Sequence, residues 1–129
     1  MEIQSFDLPP NYQDIQLETL FRLPDQAESY LKTLRSATSK LSFIMQFAYC
    51  QTTFQFFTPS TYHHKHLLKA IRLRVALRSL TTIRKKTELE ILKTKLSGSQ
   101  LSRHRSEILL ILDLNEIGTA ELAELDSFT

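Results

Sequence analysis

The side chains best suited to specific chemistry follow a Ser-Gly-Ser turn late in this 129-residue chain. Residues 89–112 have the pattern of a helix, a tight glycine-containing turn and a second helix, which is typical of a helix-turn-helix. The first turns of a recognition helix meet base edges, where Gln pairs with adenine and Arg with guanine. The DNA-contacting residues predicted there are Ser99, Gln100, Ser102, Arg103, His104 and Arg105. The alternative is an ordinary helical hairpin in which the Arg-His-Arg run is a solvated face.

Positive charge is concentrated around this pattern. Residues 65–105 contain 12 Lys/Arg and 2 Asp/Glu, a net charge of +10, whereas residues 1–64 carry −2 and residues 106–129 carry −6. A block this basic indicates a nucleic-acid partner. The other predicted DNA-binding residues are Lys40, Arg72, Arg74, Arg78, Arg84, Lys85 and Lys86, and the adjacent cations of residues 84–86 suit phosphate contact. A solvated basic helix balanced by the acidic end of the chain is the alternative.

A membrane-surface helix is disfavoured, because the chain has no Trp and no clean apolar face lies opposite the charges. The histidines at positions 63, 64 and 66 lack a neighbouring Cys, Asp or Glu, and adjacent positions do not share a helix face. We therefore expect them at the surface and expect no metal. No catalytic arrangement or glycine-rich phosphate loop is visible, so the sequence predicts a non-enzymatic domain without a cofactor or small-molecule substrate.

The elements that position these side chains should all be helices. Only 2 Gly and 4 Pro occur, and 42% of the residues are hydrophobic. This composition predicts one compact all-α domain, a bundle of six or seven helices. No uncharged apolar run reaches the roughly 18 residues of a membrane span, and the first residues lack the basic region of a secretory signal. Cys50 fits a reduced core residue, so we expect a cytoplasmic protein.

Residues 38–50 are the most apolar stretch and predict the central helix, since apolar side chains cover most of its circumference. Thr38 or Ser39 should cap its start, and the aromatic run Phe54, Phe56 and Phe57 should fold back over it.

The remaining elements follow in order. Residues 1–12 form an extended lead and residues 13–73 the core helices, predicted at 13–21, about 25–35, 38–50 and 62–73. Helical spacing continues through residues 74–95, with an interruption at Thr81-Thr82 or at Thr87. After the turn at Ser97-Gly98-Ser99, helix 100–112 should bury Leu101, Ile108, Leu109 and Leu112, and an acidic helix should cover about 117–125.

Several patches together resemble a known family. They are Phe6-Asp7-Leu8-Pro9-Pro10, Leu20-Phe21-Arg22-Leu23-Pro24, Leu34 to Phe43, Phe54 to Phe57, and Leu101-Ser102-Arg103-His104-Arg105-Ser106-Glu107-Ile108-Leu109. In order and spacing they are similar to the N-terminal module of Tn-three-family (TnpA-type) transposases. The departures are Ser42 and Ala48, where that family usually has Gly, and Asp113-Leu114, where it has Gly-Phe.

The resemblance implies a DNA-binding domain that recognises the double-stranded terminal inverted repeats of a transposon. It also implies that the catalytic carboxylates belong to a region that this chain does not contain, and it leaves room for self-association. The rival hypothesis is a helical protein-interaction or regulatory domain derived from a transposase fragment.

Overall fold

The computed structural model describes residues 8–83, 85–96 and 101–113, and every regular element in these ranges is helical. The α-helices are α1 (Asp14–Leu20), α2 (Asp25–Thr33), α3 (Ala37–Thr53), α4 (His64–Leu73) and α5 (Lys86–Leu96). Residues 101–113 form a further helical segment, here α6. Two 3-10 helices cover Pro59–Thr61 and Val75–Leu80. The predicted all-α fold is confirmed.

The centre of the molecule is α3, as the sequence predicts. It contacts α1, α4, α5 and the second 3-10 helix, and every residue from 41 to 50 is buried. The helix begins one residue before the predicted caps, because Ser36 has an extended backbone and its Oγ accepts the N–H of Ser39 at 3.1 Å. The prediction that Thr38 or Ser39 caps α3 is therefore wrong.

The end of α3 is set by Phe54, whose backbone is left-handed (φ 54°, ψ 27°) and whose N–H donates to the Cys50 carbonyl at 2.9 Å. Glycine usually occupies such a position, because a Cβ is disfavoured there. The Phe54 side chain is 66% exposed, so the prediction that it covers the core is wrong. Phe57 is buried and Phe56 is half-buried in the way the aromatic run suggested.

Helical spacing after α4 does not continue as one α-helix. Arg74 has an extended backbone (φ −107°, ψ 119°) and ends α4, and a 3-10 helix follows. The apolar residues Leu77, Leu80 and Ile83 recur every third residue, which fits the three residues per turn of a 3-10 helix. Leu77 is buried and the other two pack partly against the core. Of the two predicted places for an interruption, Thr81-Thr82 forms a turn, whereas Thr87 lies within α5.

The core-facing stripe of α6 is formed by His104, Ile108 and Ile111, which recur at helical spacing. Ile108 is buried as predicted, but Leu109 is 49% exposed, so its predicted burial is wrong: the helix is rotated so that His104 and Ile111 join Ile108 on the buried stripe. The Ser97–Ser99 turn and the predicted acidic helix at 117–125 lie outside the described residues. Among the helices that are described, none combines the length and the apolar character needed to cross a bilayer.

Candidate nucleic-acid interface

The outer side of α4 is basic because its cations and its buried residues lie on different faces of the helix. The buried residues are His66, Leu67, Ala70 and Ile71. Lys65, Lys69 and Arg72 are spaced four and three residues apart and lie on the other side. Lys69 Nζ pairs with the Glu18 carboxylate of α1 at 3.3 Å, whereas Lys65 and Arg72 are exposed. Two of the three α4 cations are therefore open to solvent.

Arg72 also lines a groove of about 470 Å³ between α4 and the segment after the second 3-10 helix. The opposite wall is Thr81 and Ile83, and Lys85 and Lys86 follow at the start of α5. Both lysines are exposed, as is Arg78. We refer to Lys65, Arg72, Arg78, Lys85 and Lys86 as the open cations. Among the described residues none of them forms a side-chain ion pair, so their charge faces solvent.

Arg74 is arranged differently. Its Nη2 lies 2.6 Å from the Glu28 carboxylate, and its Nη1 donates to the Phe21 carbonyl at 3.4 Å. The side chain thus connects the end of α4 to α1 and α2, and its charge is already compensated. Lys40 is half-buried beside Arg74 in a second groove of about 370 Å³. The structure brings these two predicted DNA-binding residues together, but in a groove that Arg72 does not line.

The first described turn of α6 separates the predicted recognition residues into two groups. Ser102 and Arg103 are exposed. Arg105 is half-buried, and its guanidinium carbon lies 5.5 Å from the centre of the Phe56 ring. The predictions at Arg84, Ser99 and Gln100 lie outside the described residues.

His104 requires a correction. Its side chain is 1% exposed and packs edge-on against Tyr30 and Phe43, with ring centres 5.9 and 5.8 Å away. Burial, with a smaller effect from the Arg103 charge, lowers the pKa of His104 to about 4. A buried neutral ring has no access to DNA, so the assignment of His104 to DNA contact is wrong. Its position in the buried stripe with Ile108 and Ile111 is the sequence signal for a core role.

Comparison with protein families places the whole chain, residues 1–129, in one family, described as a domain of unknown function, DUF4158. The chain belongs to this DUF4158 family. Comparisons with curated proteins and with solved structures give no match.

The DUF4158 domain also differs from expectation at its histidine cluster, because His66 is fully buried instead of lying at the surface. The Tyr12 backbone N–H donates to its Nε2 at 3.1 Å, so the proton of the neutral ring is on Nδ1, which donates to the Tyr49 hydroxyl at 2.8 Å. Burial chiefly, and then the nearby His63, lowers the pKa of His66 to about 4. The apolar neighbours Leu67, Ala70 and Ile71 on the same stripe could have indicated this.

The other two histidines hold chain segments together. His63 Nε2 donates to the Pro9 carbonyl at 2.7 Å, and His64 Nε2 lies 2.7 Å from the Glu90 carboxylate of α5. Within the described ranges no three His, Cys, Asp or Glu side chains are grouped so that they could hold a metal ion.

The predicted set of DNA-binding residues omits two exposed lysines of the basic block, Lys65 and Lys95.

Proposed function

We propose that this DUF4158 domain binds double-stranded DNA and that its natural site is the terminal inverted repeat of a transposon. The observation that supports DNA binding most strongly is the set of open cations on α4, the second 3-10 helix and the start of α5. An unpaired, solvent-facing cation gains most from a phosphate partner, because each contact releases condensed counterions. The sequence resemblance to TnpA-type transposases supports the choice of site.

The proposal assigns two roles. The open cations contact the phosphate backbone, which supplies affinity without reading sequence. Arg103 and Ser102, exposed at the described start of α6, reach base edges in the major groove. The strand-transfer chemistry is assigned to a region outside these 129 residues, so this domain by itself needs no catalytic group.

The test of the phosphate role is a charge-matched pair of triple variants. The first variant replaces Arg72, Lys85 and Lys86 with Ala. The second replaces Arg22, Lys32 and Arg35 with Ala, three exposed cations outside the basic block. Both remove the same charge, so a nonspecific effect of net charge would appear equally in each. Only the first should weaken binding to all DNA sequences, and its slope of log affinity against log salt should fall by roughly 0.9 for each phosphate that is no longer neutralised.

The test of base reading is Arg103→Ala, compared on terminal-repeat DNA and on a scrambled duplex of equal length. Removal of the guanidinium that pairs with guanine should cost about 1–3 kcal/mol on the repeat and little on the scrambled DNA. Equal weakening on both duplexes would remove the base-reading role from α6. No binding of either duplex by the unaltered domain at low salt would overturn the proposal and favour the interaction or regulatory domain.

A further inference from the structure

The contact between α6 and the rest of the molecule combines buried polar and apolar side chains. Its central side chain is His104, which fills the space beside Tyr30 of α2 and Phe43 of α3. The next residue, Arg105, lies over the Phe56 ring. Apolar contacts are added by Ile108 and Ile111, which are also buried.

The buried polar atoms without a hydrogen-bond partner are concentrated in this region. In the part of the chain that the structure describes, they are the Tyr30 hydroxyl, the Ser42 hydroxyl, both polar atoms of the Gln46 amide, the Tyr62 hydroxyl, both ring nitrogens of His104, and Arg105 Nε. Two of these residues, His104 and Arg105, are on α6, and Tyr30 touches the His104 ring. We call these six residues the polar seam.

Ser42, Gln46 and Tyr62 continue the polar seam toward Arg105. Ser42 lies one turn before Gln46 on α3. Burial raises the pKa of Tyr62, while the Gln46 amide and the Arg105 charge lower it in part, so all three groups lie close together. The Gln46 amide faces the Tyr62 hydroxyl and interacts with it, so the cost of burying this pair is partly offset, whereas neither ring nitrogen of His104 has a partner. The costly arrangement for a buried polar group is to have no partner at all, as at His104.

His66 provides the internal comparison. It is as deeply buried as His104, and both residues are histidines held beside aromatic rings. However, both ring nitrogens of His66 have partners, Tyr12 N–H and Tyr49 OH, whereas neither nitrogen of His104 has one. The cost of desolvation is thus offset at α4 but not at α6.

We infer that α6 is the detachable element of this fold and that the polar seam is what makes it so. The unpaired groups cancel part of the free energy gained by burying Ile108 and Ile111. Opening of α6 returns these groups to water, so it should occur more often than opening of α3 or α4. This inference does not depend on the proposed DNA binding.

The test is native-state hydrogen exchange on the intact 129-residue chain. The amides of residues 105–112 should exchange at least about tenfold faster than those of residues 41–50, which corresponds to about 1.4 kcal/mol between the two opening reactions. Equal protection of the two segments would overturn the inference, and this measurement on the unaltered chain decides the matter even if a variant fails to fold.

The role of the polar seam is tested by His104→Leu, with His66→Leu as the matched control. Removing unpaired nitrogens should slow exchange in residues 105–112 by several-fold and leave residues 41–50 unchanged. His66→Leu should instead speed exchange throughout, because the Tyr12 N–H loses its acceptor and the Tyr49 hydroxyl keeps only the His63 N–H. Faster exchange of α6 in His104→Leu would show that the histidine holds the helix in place, and the inference would fail.

Discussion

Between Leu41 and Cys50 all ten residues of α3 are buried, whereas α6 buries only His104, Ile108 and Ile111 among its residues 101–113. The two helices therefore occupy their positions for different reasons. The position of α3 follows from apolar area on most of its sides, and even its polar residues Ser42 and Gln46 are buried. The position of α6 depends on one narrow stripe, whose first member is a histidine. Substitutions should consequently lower the free energy of unfolding strongly throughout α3 but at only a few positions of α6.

The largest expected effect is in α3. Met45 is fully buried, so Met45→Ala should leave a cavity and lower the free energy of unfolding by about 2–5 kcal/mol. Denaturant unfolding followed by circular dichroism measures this change. Leu110→Ala, at a side chain that is 53% exposed, is the control for removal of an aliphatic side chain. A decrease below about 1 kcal/mol for Met45→Ala would show that α3 is not the centre of the core.

Counted per residue, the effect of acid should come next in size. The pKa of His66 and of His104 is about 4 in the folded protein, against an ordinary value of 6.5. Between these values the unfolded chain binds more protons than the folded protein does. The stability that comes from keeping the two rings neutral is therefore fully present above pH 6.5 and is lost as the pH is lowered to 4. Each histidine contributes a decrease on the order of 3 kcal/mol across this window. Denaturant midpoints measured from about pH 7 to about pH 4 give the slope.

The two histidines can be separated by the leucine variants. In His104→Leu the contribution of α6 to the acid slope disappears, and only the part due to His66 and the carboxylates remains. If the slope of His104→Leu equals that of the unaltered protein, the buried position of His104 is contradicted.

The smallest expected effect tests which face of α6 is turned toward the core. Leu109→Ala removes a side chain that is about half in solvent, so it should cost less than about 1 kcal/mol. Ile108→Ala, one residue earlier and fully buried, should cost about 2–4 kcal/mol. The same unfolding experiment compares the pair. A larger effect at Leu109 than at Ile108 would contradict the observed rotation of α6.

The difference between α3 and α6 also explains what could be predicted from the sequence. The dense apolar run of residues 41–50 indicates a buried helix regardless of its neighbours, and this prediction is confirmed. In α6 polar and apolar residues alternate enough that several rotations bury a similar area. Contact with Tyr30 and Phe43 decides among them, and those partners are distant in sequence. The left-handed Phe54 is a further case, because local preference would place Gly there.

The candidate site divides in the same way. Exposure of Lys85 and Lys86 follows from their charge alone, as for most lysines. The pairing of Arg74 with Glu28 depends on how α4 ends beside α2, which spacing does not reveal. Exposed cations are therefore easier to predict from a sequence than cations that form ion pairs with residues distant in the chain.

The contacts of the N-terminal segment have a consequence for the order of folding. Tyr12 and Pro9 bond to His66 and His63, each across 54 residues of chain, and Tyr12 OH also bonds Thr52 on α3. These acceptors and donors come together only after α3 and α4 have packed against each other. Closing so long a loop costs conformational entropy, and no local contact offsets that cost before α3 and α4 have formed. We therefore expect the N-terminal segment to dock late in folding, onto a pair of helices that is already assembled.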